Sequence, residues 1–446
     1  SDAFAIGAYA GLRAGAIVVP INPRSAPPEI DYFITDAEAA LLVFGPEVAA
    51  GAQAWRDLPE RASDVPALAL GPVDGCVDVL AAARTRPHTP IDLGLAEDDD
   101  ALIIYTSGTT GRPKGALFDH HRVLWVGHNT TIAMGLRDGE RILHVAPLYH
   151  SATLNMLLLN GMMLGATHVI LPSFAPETVL ETIEKEHITA FFGVPTMYAF
   201  MLRGPGMFRY NLSSLRNCLY GAAPMPASTA QALVDALPHA RILQACGQTE
   251  GGPGGIMLQH EEVLAKPAAS GRSALPNTEA RIVDLDGRDI EPGEIGEMIV
   301  RGETMMKGYW RNPQATAETI RDGWVHTGDL ARIDEDGYIT LVDRMKDMII
   351  TGGANVYSAE VENALAAHPA IADIAVIGLP DDVYGESVLA IVTPREGATL
   401  TLDELREFGR ERLSAYKLPR QLHIGVIPRN ASGKILKREL RNSFRN

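Results

Sequence analysis

The sequence predicts an α/β protein with a large N-terminal domain of layered α/β sheets, a small β region near the end of that domain, and a smaller α+β domain after it. Three observations carry this expectation. A chain of 446 residues is longer than one hydrophobic core usually serves. Between positions 101 and 244, short apolar runs alternate with helical patterns about a dozen residues long, the rhythm of a parallel sheet. After Pro276 the β runs crowd together, and beyond Asp343 helical and strand patterns mix again.

The elements follow in order. Residues 4–22 open with an apolar helical pattern that runs into Ala16-Ile17-Val18-Val19-Pro20, a strand-like run closed by proline and the turn Asn22-Pro23. A weakly patterned, Ala-rich region continues to about Arg86. The acidic run Glu97-Asp98-Asp99-Asp100 reads as a solvated loop before the apolar strand Ala101-Leu102-Ile103-Ile104-Tyr105. Residues 145–176 contain no Asp, Glu, Lys or Arg, so a membrane span has to be weighed. Asn155, Asn160, Gly161, Gly165 and His168 interrupt the apolar stretch, and Thr167-His168-Val169-Ile170 is β-branched, which favours a buried helix followed by a buried strand.

Further strands are expected at Ala190-Phe191-Phe192-Gly193-Val194, Asn217-Cys218-Leu219-Tyr220 and Arg241-Ile242-Leu243-Gln244. Ala280-Arg281-Ile282-Val283-Asp284, Glu297-Met298-Ile299-Val300-Arg301 and Tyr338-Ile339-Thr340-Leu341-Val342, separated by Asp-Gly and Pro-Gly turns, make the small antiparallel region. The last part should hold a helix over 359–367 with Ser358 as its N-cap, the strand Ile374-Ala375-Val376-Ile377, and a helix near 402–413.

The 55 acidic against 39 basic residues give a formal net charge of −16, which repels nucleic acid and anionic membrane surfaces. The 3 cysteines, Cys76, Cys218 and Cys246, form none of the paired spacings of zinc or redox sites. With no basic segment leading into an apolar run at the start, the expectation is a soluble, cytoplasmic protein without a signal peptide or a transmembrane segment.

The chemistry is concentrated in Tyr105-Thr106-Ser107-Gly108-Thr109-Thr110-Gly111-Arg112-Pro113-Lys114-Gly115. Small hydroxyl side chains, glycines and a lysine directly after a strand let backbone N–H groups curl around an anion while Lys114 adds charge. It is not a Walker A loop, because Arg112 and Pro113 separate glycine from lysine and no Ser or Thr follows Lys114.

This segment resembles the signature of the adenylate-forming superfamily, which includes acyl- and aryl-CoA ligases, luciferases and the adenylation domains of peptide synthetases. Four further matches follow in the family's order. Gln244-Ala245-Cys246-Gly247-Gln248-Thr249-Glu250 resembles the adenine and magnesium motif, and Trp324-Val325-His326-Thr327-Gly328-Asp329-Leu330 the ribose motif. Asp343-Arg344-Met345-Lys346-Asp347 onward resembles the hinge, and Asn430-Ala431-Ser432-Gly433-Lys434-Ile435 the C-terminal lysine motif.

The resemblance implies an ATP-dependent acid:CoA ligase that uses ATP, Mg2+ and CoA. It implies an AMP-binding domain over 1–344 and a mobile C-terminal domain over 345–446, and a homodimer is open to it. Thr106, Ser107, Gly108, Thr109, Thr110, Gly111 and Lys114 would hold the β- and γ-phosphates, Thr249 the α-phosphate, and Glu250 with Thr109 the magnesium ion. Gly221, Ala222, Ala223, Gln244, Cys246 and Gly247 would surround the adenine and the acyl adenylate. Asp329 and Arg344 would hold the ribose. Lys434 would bridge carboxylate and α-phosphate for adenylation, and the domain would turn about Lys346 for thioester formation. Gly352 and Gly353 would approach the pantetheine passage, Tyr384 would wall the CoA entry, and His150 would flank the acyl site.

The acyl segments implied by the resemblance, Asn155, Phe192-Gly193-Val194-Pro195 and Gly221-Ala222-Ala223-Pro224-Met225, contain no Arg or Lys to pair with a second carboxylate. Ser151-Ala152-Thr153-Leu154 after His150 lacks the Asp by which amino-acid-activating relatives hold an α-amino group. A hydrophobic monocarboxylate follows, a medium or long fatty acid first, with an aryl acid, or a carrier protein in place of CoA, as alternatives. Cys246 stands where most relatives stack a Tyr on adenine, and a thiol offers little stacking surface. The position of Leu12-Arg13-Ala14-Gly15-Ala16 implies an N-terminally shortened copy. The run Gly251-Gly252-Pro253-Gly254-Gly255 reads either as backbone room near the acyl site or as plain flexibility.

Overall fold

The structure is a computed structural model that describes residues 1–446 except 63, 88, 90, 91, 107–111, 204, 205, 224, 430–434, 445 and 446. The chain forms two compact units, one of Ser1–Ala280 with Val300–Val325, the other of Arg281–Ile299 with His326–Asn446. The units are therefore cut at other places than Arg344, since residues 281–299 and 326–344 pack with the later part of the chain.

The first unit is built on a seven-stranded sheet. Thr167–Ile170, Arg141–His144, Ala190–Gly193, Asn217–Gly221 and Arg241–Gly247 run parallel, and Gly255–Leu258 and Ser273–Ala274 then add antiparallel to one edge. The inner strands read as unbroken apolar runs because both faces are covered: Ala190–Gly193 and Asn217–Gly221 are buried at every position. Helices such as Pro176–Lys185 and Pro195–Leu202, each opened by a proline at its first turn, connect them. A three-stranded sheet in the same unit joins the hairpin Asp100–Thr106 and Lys114–Asp119 to the short strand Gly308–Tyr309. Leu102, Ile104, Phe118, Leu158 and Met306 form the core beneath it.

Three expectations need correction. The apolar run at 154–159 is helical and buried, but as a π-helix over Ala152–Leu159, continued by Asn160–Met163. The strand after it, Thr167–Ile170, lies at the sheet edge with Thr167 exposed and the rest half-buried, so it is not a buried strand. The run 16–20 makes only a single bridge, Val18 to Leu102. No helix among the described residues is long and apolar enough to cross a membrane.

The second unit carries a five-stranded sheet of Ala354–Val356, Ile349–Thr351, Gly385–Pro394, Ile371–Asp381 and Gln421–Ile424. Ser358–Ala366 and Leu402–Arg410 pack on it through Val361, Leu365 and Leu405, all fully buried. Thr401 and Glu404 close a capping box on the second of these helices. Ser358 is not the N-cap. It is the first helical residue, and its N–H and hydroxyl both donate to Asp343, which satisfies the helix start from a neighbouring strand.

Candidate active site

Residues 107–111 and 430–434 lie outside the described residues, so Ser107, Gly108, Thr109, Thr110, Gly111 and Lys434 are not placed. The stems of the first segment are. Thr106 ends one strand and Lys114 begins the next, directly opposite in register, so Lys114 stands on a strand rather than in the loop. The helix Pro27–Asp36 anchors both stems. Tyr32 Oη donates to the Pro113 carbonyl at 2.7 Å, and Tyr105 Oη donates to Asp36 Oδ2 at 2.5 Å. Trp310 adds a second tie, its backbone N–H to the Gly115 carbonyl at 2.7 Å and its indole N–H to the Asp36 carbonyl at 3.1 Å. Burial and the neighbouring Asp36 carboxylate push the Tyr105 phenol well above its ordinary range, which keeps it a donor.

Thr249 and Glu250 sit in the 3-10 turn Thr249–Gly251, between the antiparallel strands Arg241–Gly247 and Gly255–Leu258. Glu250 Oε1 accepts from Tyr309 Oη at 2.8 Å and from Thr106 Oγ1 at 3.3 Å. Lys114 Nζ lies 4.3 Å from the centroid of the same Tyr309 ring. The structure thus brings the phosphate-loop lysine and the predicted magnesium carboxylate to one phenol. Thr249 Oγ1 lies 3.0 Å from Ser151 Oγ, and Ser151 directly follows His150. His150 is half-buried and its ring lies 6.0 Å from that of Tyr149.

Glycine at 247 and 252 is required by close approach. A Cβ on Gly247 would strike the carbonyls of Pro253 and Gly254, and one on Gly252, whose φ is +77°, would strike the Thr304 carbonyl. The glycine-rich run therefore serves backbone crossing, with Thr304 Oγ1 bonded to the Gly251 carbonyl at 2.8 Å. Gly221 is likewise pressed against the Ala245 backbone. Ala222 follows it at φ +67°, a left-handed conformation that costs an alanine energy, and Ala222 and Ala223 are exposed. Gln244 is buried with its side-chain carbonyl accepting from Tyr220 Oη at 2.9 Å, whereas Cys246 is half-buried and Gly247 exposed. Asn155, in the π-helix, is fully buried with neither amide atom hydrogen-bonded.

In the second unit, Asp329 and Arg344 are direct cross-strand partners on Trp324–Ile333 and Ile339–Arg344. Arg344 Nε donates to Asp329 Oδ1 at 2.6 Å, and the Asp329 N–H is held by Thr327 Oγ1 at 3.0 Å. Gly352 and Gly353, at φ +58° and +80°, are the two-residue turn of the hairpin joining Ile349–Thr351 to Ala354–Val356. The Gly352 N–H donates to the Tyr384 carbonyl at 2.8 Å, and the Arg420 guanidinium covers the Tyr384 ring at 3.7 Å. Lys346 is exposed.

Residues 1–310 match the AMP-binding enzyme family, and residues 360–434 match the AMP-binding enzyme C-terminal domain. The chain belongs to the AMP-binding enzyme family. Within it, a feruloyl-CoA synthase of Amycolatopsis sp is 41% identical over 97% of this chain and 84% of its own length. A long-chain-fatty-acid–CoA ligase of Mycobacterium tuberculosis is 33% identical over 98% and 85%. Among solved structures of the family, ATP-bound MatB from Rhodopseudomonas palustris superposes with a TM-score of 0.89 at 32% identity, covering 100% of this chain and 87% of that one.

An AMP-binding enzyme of this kind needs Mg2+ on the triphosphate, and the residues present fit it. Among the described residues no group of three or more His, Cys, Asp or Glu could cage a metal. A single hard carboxylate, its charge left intact by neutral hydroxyl donors, suits an ion that takes most ligands from phosphates and water. Reading motifs missed Tyr309, Ser151, Tyr32, Asp36 and Trp310, since each acts through a partner far away in sequence. The only hint was that Gly308-Tyr309-Trp310 carries two large aromatics just before the turn Asn312-Pro313.

Proposed function

We propose that this chain activates a hydrophobic monocarboxylic acid, a ring-bearing acid with a polar substituent ahead of a fatty acid. The overall reaction is that of an AMP-forming acid:CoA ligase, with ATP, Mg2+ and CoA. The acid's carboxylate oxygen attacks the α-phosphorus of ATP and pyrophosphate leaves. The CoA thiol, losing its proton, then attacks the acyl carbonyl, and AMP leaves with the oxygen. In the first step two anions meet, and positioned positive charge offsets their repulsion.

Lys114 and the loop 106–111 hold the outer phosphates, Thr249 the α-phosphate, and Glu250 with Thr109 the metal, whose charge supplies the rest of that offset. Asp329 and Arg344 hold the ribose. Gly221, Ala222, Ala223, Gln244, Cys246 and Gly247 line the adenine and acyl-adenylate region, with His150 on the thiol side. Lys434 completes adenylation, after which residues 345–446 turn about Lys346 and bring Gly352, Gly353 and Tyr384 to the CoA. The Asp329–Arg344 ion pair supports the ribose role, because its bonds fix the carboxylate where a diol can donate to it.

Asn155 carries the choice of acid. A buried amide with no hydrogen-bond partner costs ~1–3 kcal/mol, which a hydrogen-bonding substituent on a ring would recover and a fatty chain would not. The higher identity to the feruloyl-CoA synthase than to the fatty-acid ligase supports the same choice. A panel of hydroxylated and methoxylated aryl acids, unsubstituted aryl acids, fatty acids, dicarboxylates and amino acids, assayed with free CoA, tests it. The expected order puts substituted aryl acids first, and Asn155→Leu should erase their advantage. Preference for a dicarboxylate, or thioester formed only on a carrier protein, overturns the proposal. A cytoplasmic location is proposed because none of the three cysteines forms a disulfide among the described residues, and a homodimer from the resemblance; sedimentation tests the latter.

A further inference from the structure

We infer that Tyr309 is a positioning residue that keeps Lys114 and Glu250 from pairing with each other and so leaves both charges available to a metal-bound triphosphate. The inference rests on the proposed roles of those two side chains. Tyr309 lies in the strand Gly308–Tyr309, fixed opposite Ala116 on the phosphate-loop hairpin, with its N–H bonded to Thr316 Oγ1 at 2.9 Å. The ring is 7% exposed, so its direction is set by packing. Its hydroxyl donates to Glu250 Oε1 at 2.8 Å and its face takes Lys114 Nζ at 4.3 Å.

The physical point is what these contacts are not. Lys114 and Glu250 both contact this one ring, yet among the described residues no ion pair joins them. Had they paired, each would neutralise the other, and the pair would have to break before phosphate could use the lysine or a cation the carboxylate. The phenol offers each a neutral partner instead. A ring face attracts a cation through its quadrupole without cancelling its charge. A hydroxyl donor orients a carboxylate and leaves the negative charge in place. A phenol carries its proton at neutral pH, so its hydroxyl is a donor.

The test measures binding without turnover. ATP is titrated calorimetrically into the full chain over a series of Mg2+ concentrations and in EDTA, with no acid and no CoA. Tyr309→Phe keeps the ring face and loses the donor, so the Mg2+ midpoint for tight ATP binding should rise ~10-fold, as for other partners of metal ligands, while metal-free ATP affinity stays within about twofold. Tyr309→Leu loses both contacts and should weaken metal-free binding as well. Thr316→Val, which removes the hydroxyl that accepts the Tyr309 backbone N–H, should shift the Mg2+ midpoint in the same direction by less, and it serves if the Tyr309 variants do not fold. Glu250→Gln is the control. If it moves the Mg2+ midpoint and Tyr309→Phe and Thr316→Val do not, the role of Tyr309 is overturned alone. If Glu250→Gln leaves the midpoint unmoved, the reading of Glu250 falls and this inference falls with it.

Discussion

The two compact units each hold one carboxylate with a proposed role at the site, and they partner it in opposite ways. Glu250 in the first unit is held by the neutral hydroxyls of Tyr309 and Thr106. Asp329 in the second is held by the guanidinium of Arg344, with Thr327 fixing its backbone. A carboxylate bonded to neutral donors keeps its full charge and suits a cation. One paired with arginine is compensated, which suits a neutral diol that asks only for an acceptor in the right place. On the roles proposed above, the partner, more than the carboxylate, would distinguish a metal site from a sugar site.

The comparison breaks most readily at Glu250. Glu250→Gln keeps the shape and the hydrogen-bond acceptor but removes the charge, and adenylation measured by pyrophosphate exchange should fall by about 10²–10³, the usual cost of a missing positioned charge. Only partial recovery at high Mg2+ is expected. A loss of less than about threefold would mean that Glu250 serves geometry alone.

At Asp329 the same substitution should cost less and show its effect elsewhere. Asp329→Asn should raise the KM for ATP by about 10-fold, near the value of one charge-assisted hydrogen bond, with the Mg2+ dependence unchanged. Wild-type enzyme should discriminate against 2′-deoxy-ATP, and the variant should discriminate much less. Equal loss with ATP and the deoxynucleotide would separate Asp329 from the ribose.

A third measure asks whether the loop stems matter as much as the charges they carry. Tyr32→Phe deletes the bond to the Pro113 carbonyl and keeps the ring, so a severalfold rise in the KM for ATP is expected, with kcat nearly unchanged. If stability falls while KM stays fixed, the helix Pro27–Asp36 supports the fold and not the loop.

How much of this could be read beforehand follows from sequence distance. Contiguous segments such as Thr249-Glu250 and residues 324–330 could be matched to family motifs because their residues are neighbours, and the parallel strands because burial on both faces leaves nearly continuous apolar runs. The partners were not. Tyr309 lies 59 positions from Glu250, Tyr32 81 from Pro113, and Ser151 98 from Thr249, and nothing in local pattern links them. The π-helix was invisible for a different reason: an all-apolar segment such as residues 156–159 has no polar face whose period could separate a wide turn from a normal one. Ser358 was misassigned because a serine before a helix usually caps it, and only the fold brings Asp343 close enough to take that place.

The contrast between neutral and charged partners extends to groups outside the site, and there it predicts the smallest effect, on stability against pH. His144 and His168 share a hydrogen bond of 2.8 Å between rings inside the first unit, with neither outer nitrogen partnered. In the second, the mostly buried Glu362 is paired with Lys437 Nζ at 2.7 Å. Burial, with a smaller contribution from His168, lowers the His144 pKa from its ordinary value of 6.5 to about 3. The folded value lies below the unfolded one, so the unfolded chain binds the proton first as pH falls. The stability that neutral His144 contributes is therefore complete above pH ~6.5 and is lost progressively down to about 3. Between pH 6.5 and 5 the loss should approach about 2 kcal/mol, at roughly 1.4 kcal/mol per unit. His144→Gln should be the less stable protein at pH 7.5, since an amide fits the ring's place poorly, yet its denaturation midpoint should fall less steeply on acidification. Parallel pH slopes for the two proteins would mean that some other group sets the acid limit. The same scan on Lys437→Met separates the cases, because there a raised Glu362 pKa gives stability toward acid rather than taking it away.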